Sequence, residues 1–500
     1  MAVSYQWLIQ WAPPPMVITN IDKQYDSVNR WNIDAGIKPY SEPTWRHPVE
    51  SKINDTYYTS PRQLVNYDRT AKTKNGKDDR SKSAALSLWM TMLGIAQPQS
   101  IPADNDTPPF HTLYKWSQVD FVFPSSIKRV RAMAAGKYIP SSVLPLGMEV
   151  VRDRIFITLP MWRPGVPATL ATVSTEGGIS SPPLKPYPDW TYHEGLNPEL
   201  KECQGLTSVL RMSADACGRL WVLDAGLIDM QNDPKQICPP ALYVFDTYKD
   251  KLLGRFEIPS DYVLEDSLFS NIVLDSRTNT CDDIHAYMSD TWRFGLIVFR
   301  LKDKQFWRFS HPYFFPDPLK SQFLLHGLRF QWTDGILALS LSPITEDGER
   351  VLYFSAMSSD RQFYVMTSVL KDPNKANSSF SDEFRLFGET RGVNGQVSTA
   401  AVDNRGVMFY GLVTQDTVGC WDTSRPYRNE NRGIVATNYE TLIFPNEIKV
   451  DNNKSQRVWV LSNRLPFFQE EDLNQNDYNF RIMFADTKEA VRGTVCDVVD

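Results

Sequence analysis

The sequence has no excess of basic residues. Of its 500 residues, 53 are lysine or arginine and 59 are aspartate or glutamate, which gives a formal charge of -6. A protein that neutralises the phosphates of a nucleic acid needs a basic face. This charge balance therefore disfavours a nucleic-acid partner.

The sequence also lacks the short motifs of common enzyme families. It contains no G-x-S-x-G, no G-x-x-x-x-G-K, no H-E-x-x-H and no Rossmann glycine pattern. Its few histidines are scattered along the chain, at positions 47, 111, 193, 285, 311 and 326. We predict that His285 is a core side chain, whereas the loop pair His193–Glu194 is a candidate acid–base pair. We expect no cofactor and no metal site.

No apolar run is long enough to span a bilayer comfortably, which takes about 20 residues. Residues 84–96, AALSLWMTMLGIA, follow several basic residues and end in Gly94-Ile95-Ala96, the layout of a signal peptide. We therefore expect secretion, with a mature chain that begins near Gln97. The alternative is a short buried helix in an N-terminal domain.

Residues 1–83 show neither helical nor strand periodicity and are rich in polar residues. Such a composition is typical of disorder. We interpret this segment as a disordered extension or as sequence upstream of a mistaken translation start.

Cysteine is scarce, and none of the six cysteines forms a C-x-x-C pair. Zinc sites usually space their thiols closely, so disulfides are the better interpretation. Disulfides imply an oxidising compartment, where asparagine sequons are glycosylated. The candidate acceptors are Asn105, Asn377 and Asn453.

A repeated strand-like segment is the main positive feature. ACGRLWVLDAG, residues 216–226, is apolar without alternation, which predicts a strand buried on both faces. Related segments recur at intervals of roughly 50 to 65 residues, longer than helical repeats. They start at Asp153, Gly218, Asp283, Glu349, Arg405 and Gln456.

Each copy is preceded by one apolar segment and followed by another, with turn residues between them. Strands near the axis of a propeller are sandwiched between neighbouring blades, so alternation disappears. We predict an all-β fold, a six-bladed β-propeller over residues 116–496. Residues 118–125, QVDFVFPS, would add the N-terminal strand that closes the last blade and removes a sheet edge. Regular spacing alone also permits two separate sheets or a sandwich.

The positions of the cysteines in this topology predict their pairing. One pair joins the turns before the second strands of two consecutive blades. A second pair joins two connections on the opposite face of one blade, and a third ties the tail to the fifth blade. The predicted pairs are Cys217–Cys281, Cys203–Cys238 and Cys420–Cys496.

Several long motifs occur in the order found in one insect family. They include LPLGMEVVRDRIFITLPMWRPGVPATLATVS, ACGRLWVLDAG, FQWTDGILALSLSP, and VWVLSNR with YNFRIMFAD. From about Trp116 to Cys496 the chain resembles the Yellow and major royal jelly protein family. It departs from the family at Met161, where an arginine is frequent.

The resemblance implies a secreted six-bladed propeller with one of several functions. Family members are associated with cuticle pigmentation and melanin chemistry, with nutrition, or with binding of biogenic amines, and a few convert dopachrome. We expect binding of a small aromatic amine or catechol-derived metabolite in the central channel. A tautomerase-like enzyme of melanin formation is the alternative, and a calcium-dependent propeller hydrolase is the third hypothesis.

Polar residues where first strands begin, or where second strands end, converge on the axial channel of a propeller. The candidate ligand-binding residues are Asn271, Gln396, Asn446 and Asn463. In amine-binding relatives the Ser-Asn-Arg stretch of the last blade contributes, which corresponds here to Asn463. Leu465 stands where an aromatic ring would help stacking. Asn271 and Asn446 are also the residues that would permit a calcium ion.

Overall fold

The structure is a computed structural model that describes residues 106–194, 203, 205–276, 281–377 and 382–497. The predicted extension and the signal-peptide-like segment lie outside these residues. Asn105 and the side chains of Glu194 and Asn377 also lie outside them.

The strands form six sheets of four or five strands each, which follow one another along the chain, and two two-stranded sheets in the loops. They are β1 (Asp106–Thr107) and β2 (Phe110–Trp116); β3 (Met148–Val151), β4 (Arg154–Thr158), β5 (Leu170–Ser174) and β6 (Lys185–Pro186) of blade 1; β7 (Val209–Ala214), β8 (Arg219–Asp224), the loop strands β9 (Leu227–Ile228) and β10 (Lys235–Gln236), β11 (Ala241–Asp246) and β12 (Lys251–Glu257) of blade 2; β13 (Phe269–Ser276), β14 (Ile284–Asp290), β15 (Gly295–Arg300) and β16 (Gln305–Ser310) of blade 3; the loop strands β17 (Gln322–Leu325) and β18 (Leu328–Gln331); β19 (Ile336–Leu341), β20 (Val351–Ala356), β21 (Phe363–Met366) and β22 (Arg385–Leu386) of blade 4; β23 (Val397–Val402), β24 (Val407–Leu412), β25 (Thr417–Asp422) and β26 (Arg432–Thr437) of blade 5; and β27 (Pro445–Val450), β28 (Arg457–Ser462) and β29 (Phe480–Asp486) of blade 6.

The helices are short and lie in the connections. They are α1 (Ser126–Ala134), α2 (Thr191–Glu194), α3 (Thr367–Leu370), α4 (Leu465–Glu470) and α5 (Thr487–Val491), with 3-10 turns at Pro140–Ser142, Ser260–Tyr262, Pro312–Phe314, Pro318–Lys320, Pro373–Asn377 and Asn429–Asn431. Proline stands in the first turn of several of them, where its missing N–H costs no hydrogen bond.

The six sheets are arranged around one axis, which confirms the predicted all-β six-bladed propeller. The first strand of each blade contacts the first strands of its neighbours, including β27 against β3. We call the side on which these first strands begin, where residues 159–169 and 225–240 lie, the loop face. The opposite side, where residues 215–218 and 403–406 lie, is the turn face.

The N-terminal strand closes the last blade, as predicted, but the segment that does so was predicted wrongly. The strand is β2, which pairs antiparallel with β29 from His111 opposite Phe484 to Trp116 opposite Phe480. In the predicted segment 118–125, Val119 and Phe121 are buried in the core beside blade 1 instead. Those apolar side chains signal burial correctly, whereas the pairing edge of β29 is occupied by residues that precede them.

The second strands are buried on both faces, which explains their lack of alternation. Along β8, Leu220 and Val222 pack into the core shared with blade 1. Trp221 and Leu223 pack into the core shared with blade 3. Further cores fill the spaces between the other neighbouring blades. Each face of such a strand makes hydrophobic contacts that stabilise the ring.

Aspartates at the ends of first strands organise the turns that follow. Asp215 accepts hydrogen bonds from the backbone N–H groups of Cys217 and Arg219 and from the indole N–H of Trp221. Asp451 does the same for Arg457 N–H and the Trp459 indole. These carboxylates satisfy turn donors that would otherwise be left unpaired close to the core.

The three disulfides have the predicted pairing. They are Cys217–Cys281, Cys203–Cys238 and Cys420–Cys496. The first joins the turn face of blades 2 and 3, and Gly218 in the same turn has a φ of 74°. A residue with a Cβ atom would be strained at this positive φ and would also displace the ring of Tyr248, 2.4 Å away, so glycine is favoured there.

Buried ion pairs lie at the axis and join the last blade to the first two. Arg211 on β7 places Nη1 2.8 Å from Oε2 of Glu447 on β27, and both side chains are 2% exposed. Lys449 on β27 places Nζ 3.5 Å from Oε2 of Glu149 on β3. Burial raises the pKa of Glu149, and the Lys449 ammonium opposes that shift.

Replacing one partner of the axial pair should destabilise the ring. Arg211→Met leaves the Glu447 carboxylate buried without its counter-charge, so we expect the free energy of unfolding to fall by about 3–5 kcal/mol. Chemical denaturation measures this loss. The matched control is Arg300→Met, which breaks the more exposed pair with Asp303 and should cost less than about 1 kcal/mol. Equal stability of Arg211→Met and the unmodified protein would contradict this assignment.

Candidate functional site

A cavity of about 450 Å³ opens on the loop face, where connections from several blades converge. Blades 1, 2, 3 and 6 all contribute to its wall, so it lies at the mouth of the axial channel. We call it the axial cavity. Its lining residues are Trp162, Met230, Gln231, Asn232, Leu268, Trp292, Trp332, Asp334, Leu465, Gln469 and Glu470.

Three tryptophans from three separate loops form the aromatic part of the wall. Trp162 follows β4, Trp292 follows β14 and Trp332 follows β18. The Trp332 ring lies 4.6 Å from the ring of Phe330 and 5.8 Å from that of Phe444, which fixes its orientation. Flat aromatic faces of this kind attract cations and stack against planar rings.

The indole N–H of Trp162 adds a polar group to this wall. Trp162 is buried, and its Nε1 has no hydrogen-bond partner among the residues that the structure describes. An indole nitrogen is a donor only. The wall therefore includes a donor suited to an oxygen atom of a ligand.

The charge of the axial cavity is acidic. Asp334 and Glu470 line it, and no lysine or arginine does so among the described residues. Burial raises the pKa of Asp334 to about 6, and a hydrogen bond with the Trp292 side chain opposes this shift. Above that pH Asp334 carries a negative charge beside aromatic rings, an arrangement that favours a cationic ligand.

A hairpin of β17 and β18 lies beside the cavity and leads directly into Trp332, which lines it. Phe323 and Phe330 stack within it with ring centroids 5.0 Å apart, and β18 packs against α4. At its turn, His326 Nε2 lies 2.6 Å from Oδ2 of Asp416 in blade 5. The hairpin is thus held at both ends across the loop face.

Arg163 connects the loops of blades 1, 2 and 6 beside the cavity. Its Nε donates to Oε1 of Gln231 at 2.7 Å, and Nη2 donates to the carbonyl oxygen of Phe468 in α4. The guanidinium also lies 4.3 Å from the centre of the Phe468 ring. One side chain therefore positions two segments that line the axial cavity.

The four predicted amides are buried and bind backbone groups. Asn271 donates to Leu337 O, Gln396 to Lys320 O, Asn446 to Leu146 O and Asn463 to Pro145 O. Each of these bonds joins a first or second strand to a neighbouring part of the ring. The Oδ1 of Asn463 also accepts from the backbone N–H of Leu465, which lines the axial cavity.

The two histidines singled out from the sequence are both buried. His285 is 6% exposed on β14, and burial lowers its pKa to about 4, which fits the predicted core position. Burial also lowers the pKa of His193 to about 4. His193 does not line the axial cavity.

Met161, which immediately precedes Trp162, donates its backbone N–H to Ser208 Oγ at 3.0 Å.

Three further observations concern the expectations about glycosylation, membrane spans and metal sites, which stay predictions. Asn453 is exposed on the turn face. Among the described residues, no helix is both long and apolar enough to cross a membrane. In the same part of the chain, no group of three or more His, Cys, Asp or Glu side chains is arranged to hold a metal ion.

The aromatic and acidic residues of the cavity were not predicted from the sequence. A signal for them exists, because Trp162-Arg163 and Trp292-Arg293 each begin within four residues of the end of a second strand. Asp334 stands two residues after Trp332 in the quoted FQWTDG motif. Connections that a rigid scaffold positions carry binding residues disproportionately.

Comparisons with known proteins identify relatives over most of the chain. Residues 207–496 match the sequence profile of the family described as Major royal jelly protein. The protein named Dopaminechrome tautomerase from Drosophila melanogaster is 40% identical over 390 residues, which covers 77% of this chain and 83% of that protein. Protein yellow from Drosophila subobscura is 41% identical over 418 residues, covering 83% and 71%. Protein yellow from Drosophila melanogaster is 41% identical over 389 residues, covering 77% and 70%.

Loss of the Arg163 contacts should loosen the cavity wall while leaving the ring intact. We expect Arg163→Gln to speed amide hydrogen exchange in residues 465–470 by about 5- to 150-fold, since charge-assisted hydrogen bonds of about 1–3 kcal/mol are lost. Hydrogen-exchange mass spectrometry measures this change. Arg329→Gln, at an exposed position on β18, is the control and should leave these rates unaltered. Unchanged exchange in Arg163→Gln would show that the wall does not depend on this residue.

Proposed function

The chain belongs to the Yellow and major royal jelly protein family, and on this premise we propose that it binds a small aromatic amine or catechol-derived metabolite in the axial cavity. The observation that carries the proposal is the combination of three tryptophans with Asp334 in one wall. A planar ring fits between indole faces, and an ammonium group needs a carboxylate or a π face once water is removed.

The proposed setting is extracellular. The three disulfides are typical of an oxidising compartment, and the exposed Asn453 is suited to carry a glycan. We propose secretion and a role in cuticle pigmentation or a related extracellular process, as the family resemblance implies.

The predicted amides take an indirect role in this proposal. Asn463 fixes Leu465 through its Oδ1, and Gln396 holds Lys320 in the connection that leads into the β17–β18 hairpin. We propose that they position parts of the cavity wall. Direct binding of the ammonium is assigned to Asp334, because its carboxylate lines the cavity.

The affinity for an amine should depend on the charge of Asp334. The carboxylate attracts an ammonium and the neutral acid does not, so the affinity of dopamine should rise as the pH increases through about 6 and then level off. Asp334→Asn should abolish this rise and weaken binding at pH 7.5 by about 2–4 kcal/mol, or roughly 30- to 1,000-fold. Calorimetric titration measures both effects.

Glu470→Gln provides the matched control, since it removes the same charge from an exposed rim position. Its effect on affinity should stay below about tenfold, because solvent screens exposed charges. Dopamine binding that neither varies with pH nor responds to Asp334→Asn would remove Asp334 from the site.

A tautomerase is the second candidate function. It is favoured by the relative named Dopaminechrome tautomerase and by the pKa of Asp334, which suits a base near neutral pH. Conversion of an aminochrome to a dihydroxyindole moves two protons, one from each saturated carbon of the five-membered ring, to the two quinone oxygens, without net oxidation. Asp334 would take the first carbon-bound proton, and the Trp162 N–H would donate to the quinone oxygen on which negative charge develops; protons from water complete the two hydroxyl groups as the second carbon loses its proton.

An assay with dopaminechrome distinguishes binding from catalysis. If the tautomerase is correct, loss of aminochrome absorbance should be faster than in buffer, and Asp334→Asn should slow it by about 10²- to 10⁴-fold. A chelator should leave the rate unchanged, whereas the calcium-dependent alternative requires its loss. A rate equal to that of buffer alone would leave binding as the function.

A further inference from the structure

A second cavity of about 660 Å³ lies on the loop face beside blade 1. It is bounded by α1, by the loop that contains Met161 and Val166, and by the segment that ends in His193. Met161 lines this cavity, whereas the next residue, Trp162, lines the axial cavity. The two sites therefore share one connecting loop. We call the second site the α1 cavity.

The α1 cavity is basic. Lys128, Arg131 and Lys137 line it, and no carboxylate does so in the part of the chain that the structure describes. None of these three side chains forms an ion pair with a described residue, whereas the neighbouring Arg129 is paired with Asp120 at 3.0 Å. Three unpaired cations around one concavity attract an anion. The axial cavity, which Asp334 and Glu470 line, has the opposite charge.

One wall of the α1 cavity is a stacked aromatic pair. The rings of Phe123 and Trp190 lie 4.8 Å apart with an interplanar angle of 28°. The Trp190 indole N–H donates to Val122 O at 3.1 Å, which fixes the ring. Ala132 and Val166 add further apolar surface. This wall is suited to a planar ring rather than to a free inorganic anion, which gains nothing from apolar contact.

His193 adds an unused hydrogen-bond acceptor. Its Nε2 lies 3.1 Å from Tyr187 O, so Nε2 carries the proton and Nδ1 is the acceptor. Nδ1 is buried and has no hydrogen-bond partner among the described residues. Because burial lowers the pKa of His193 to about 4, the ring stays neutral at physiological pH. A ligand hydroxyl group is the complementary donor.

From these features we propose that the α1 cavity is a second ligand site that binds a small hydroxylated aromatic carboxylate. The ring contacts Phe123 and Trp190, and the carboxylate faces Lys128, Arg131 and Lys137. The hydroxyl group is directed to the His193 side. The two cavities of the loop face thus select aromatic ligands of opposite charge.

Calorimetric titration with 4-hydroxyphenylacetate and tyramine tests this proposal, because the two probes share a ring and differ in the sign of their charge. Binding of 4-hydroxyphenylacetate should weaken at least tenfold in Lys128→Glu/Arg131→Glu, which reverses two charges. Ala132→Trp should have a similar effect by filling the cavity without altering charge. Lys249→Glu/Lys251→Glu, the same reversal on the turn face, is the matched control and should bind normally.

The outcomes separate this site from the axial cavity. Saturating dopamine should not displace 4-hydroxyphenylacetate, and this result holds whether or not dopamine binds. The proposal is overturned if 4-hydroxyphenylacetate gives no heat, or if both cavity variants bind it as well as the unmodified protein. Cosedimentation with phosphatidylserine vesicles that the charge reversal abolishes, without any binding of the carboxylate, would identify a lipid-binding surface and would also overturn it.

Discussion

The ion pairs buried at the axis join the last blade to the first two, and the rest of the ring is arranged around that seam. Taking two charges out of water is costly, and the attraction between Arg211 and Glu447 offsets this cost only while both partners stay in place. Their main contribution is therefore to fix the register of the first strands against one another. They fix β27 against β7, as Lys449 and Glu149 fix β27 against β3, and so the loops that adjoin these strands keep their positions around the axial cavity.

The two faces of the propeller have separate roles. On the turn face the connections are short, and Asp215, Asp451 and the Cys217–Cys281 bridge secure them. On the loop face the connections are longer and carry tryptophan, acidic and basic side chains. A rigid ring below such loops reduces the entropy that is lost when a ligand is bound, because the wall residues are already held by contacts such as that of Arg163 with Phe468.

The strands could be predicted from the sequence because a strand that is buried on both faces is apolar without alternation, as from Leu220 to Leu223 of β8. Disulfide pairing followed, since cysteines at equivalent positions of neighbouring blades must meet. The closing strand was predicted at the wrong residues. Apolar residues such as Phe121 indicate burial, but they do not show which sheet edge, if any, they pair with. The residues that line the axial cavity could not be predicted for a related reason: amides at strand ends are set by local topology, whereas Trp162, Trp292 and Asp334 meet only through the paths of three long loops.

The surroundings of the axial cavity also determine how a ligand reaches it. The cavity opens on the loop face, whereas Arg211 and Glu447 are almost fully buried at the level of the first strands. A ligand would therefore enter and leave through the loop face. Its access depends on α4, which lines the cavity, and on the β17–β18 hairpin, which packs against α4. These segments are held by polar contacts, among them His326 with Asp416, and also by Phe330 and Phe468, which pack in the hydrophobic core that blades 1 and 6 share. Their opening would break apolar contacts of the ring as well as local hydrogen bonds, and is therefore coupled to the stability of the ring.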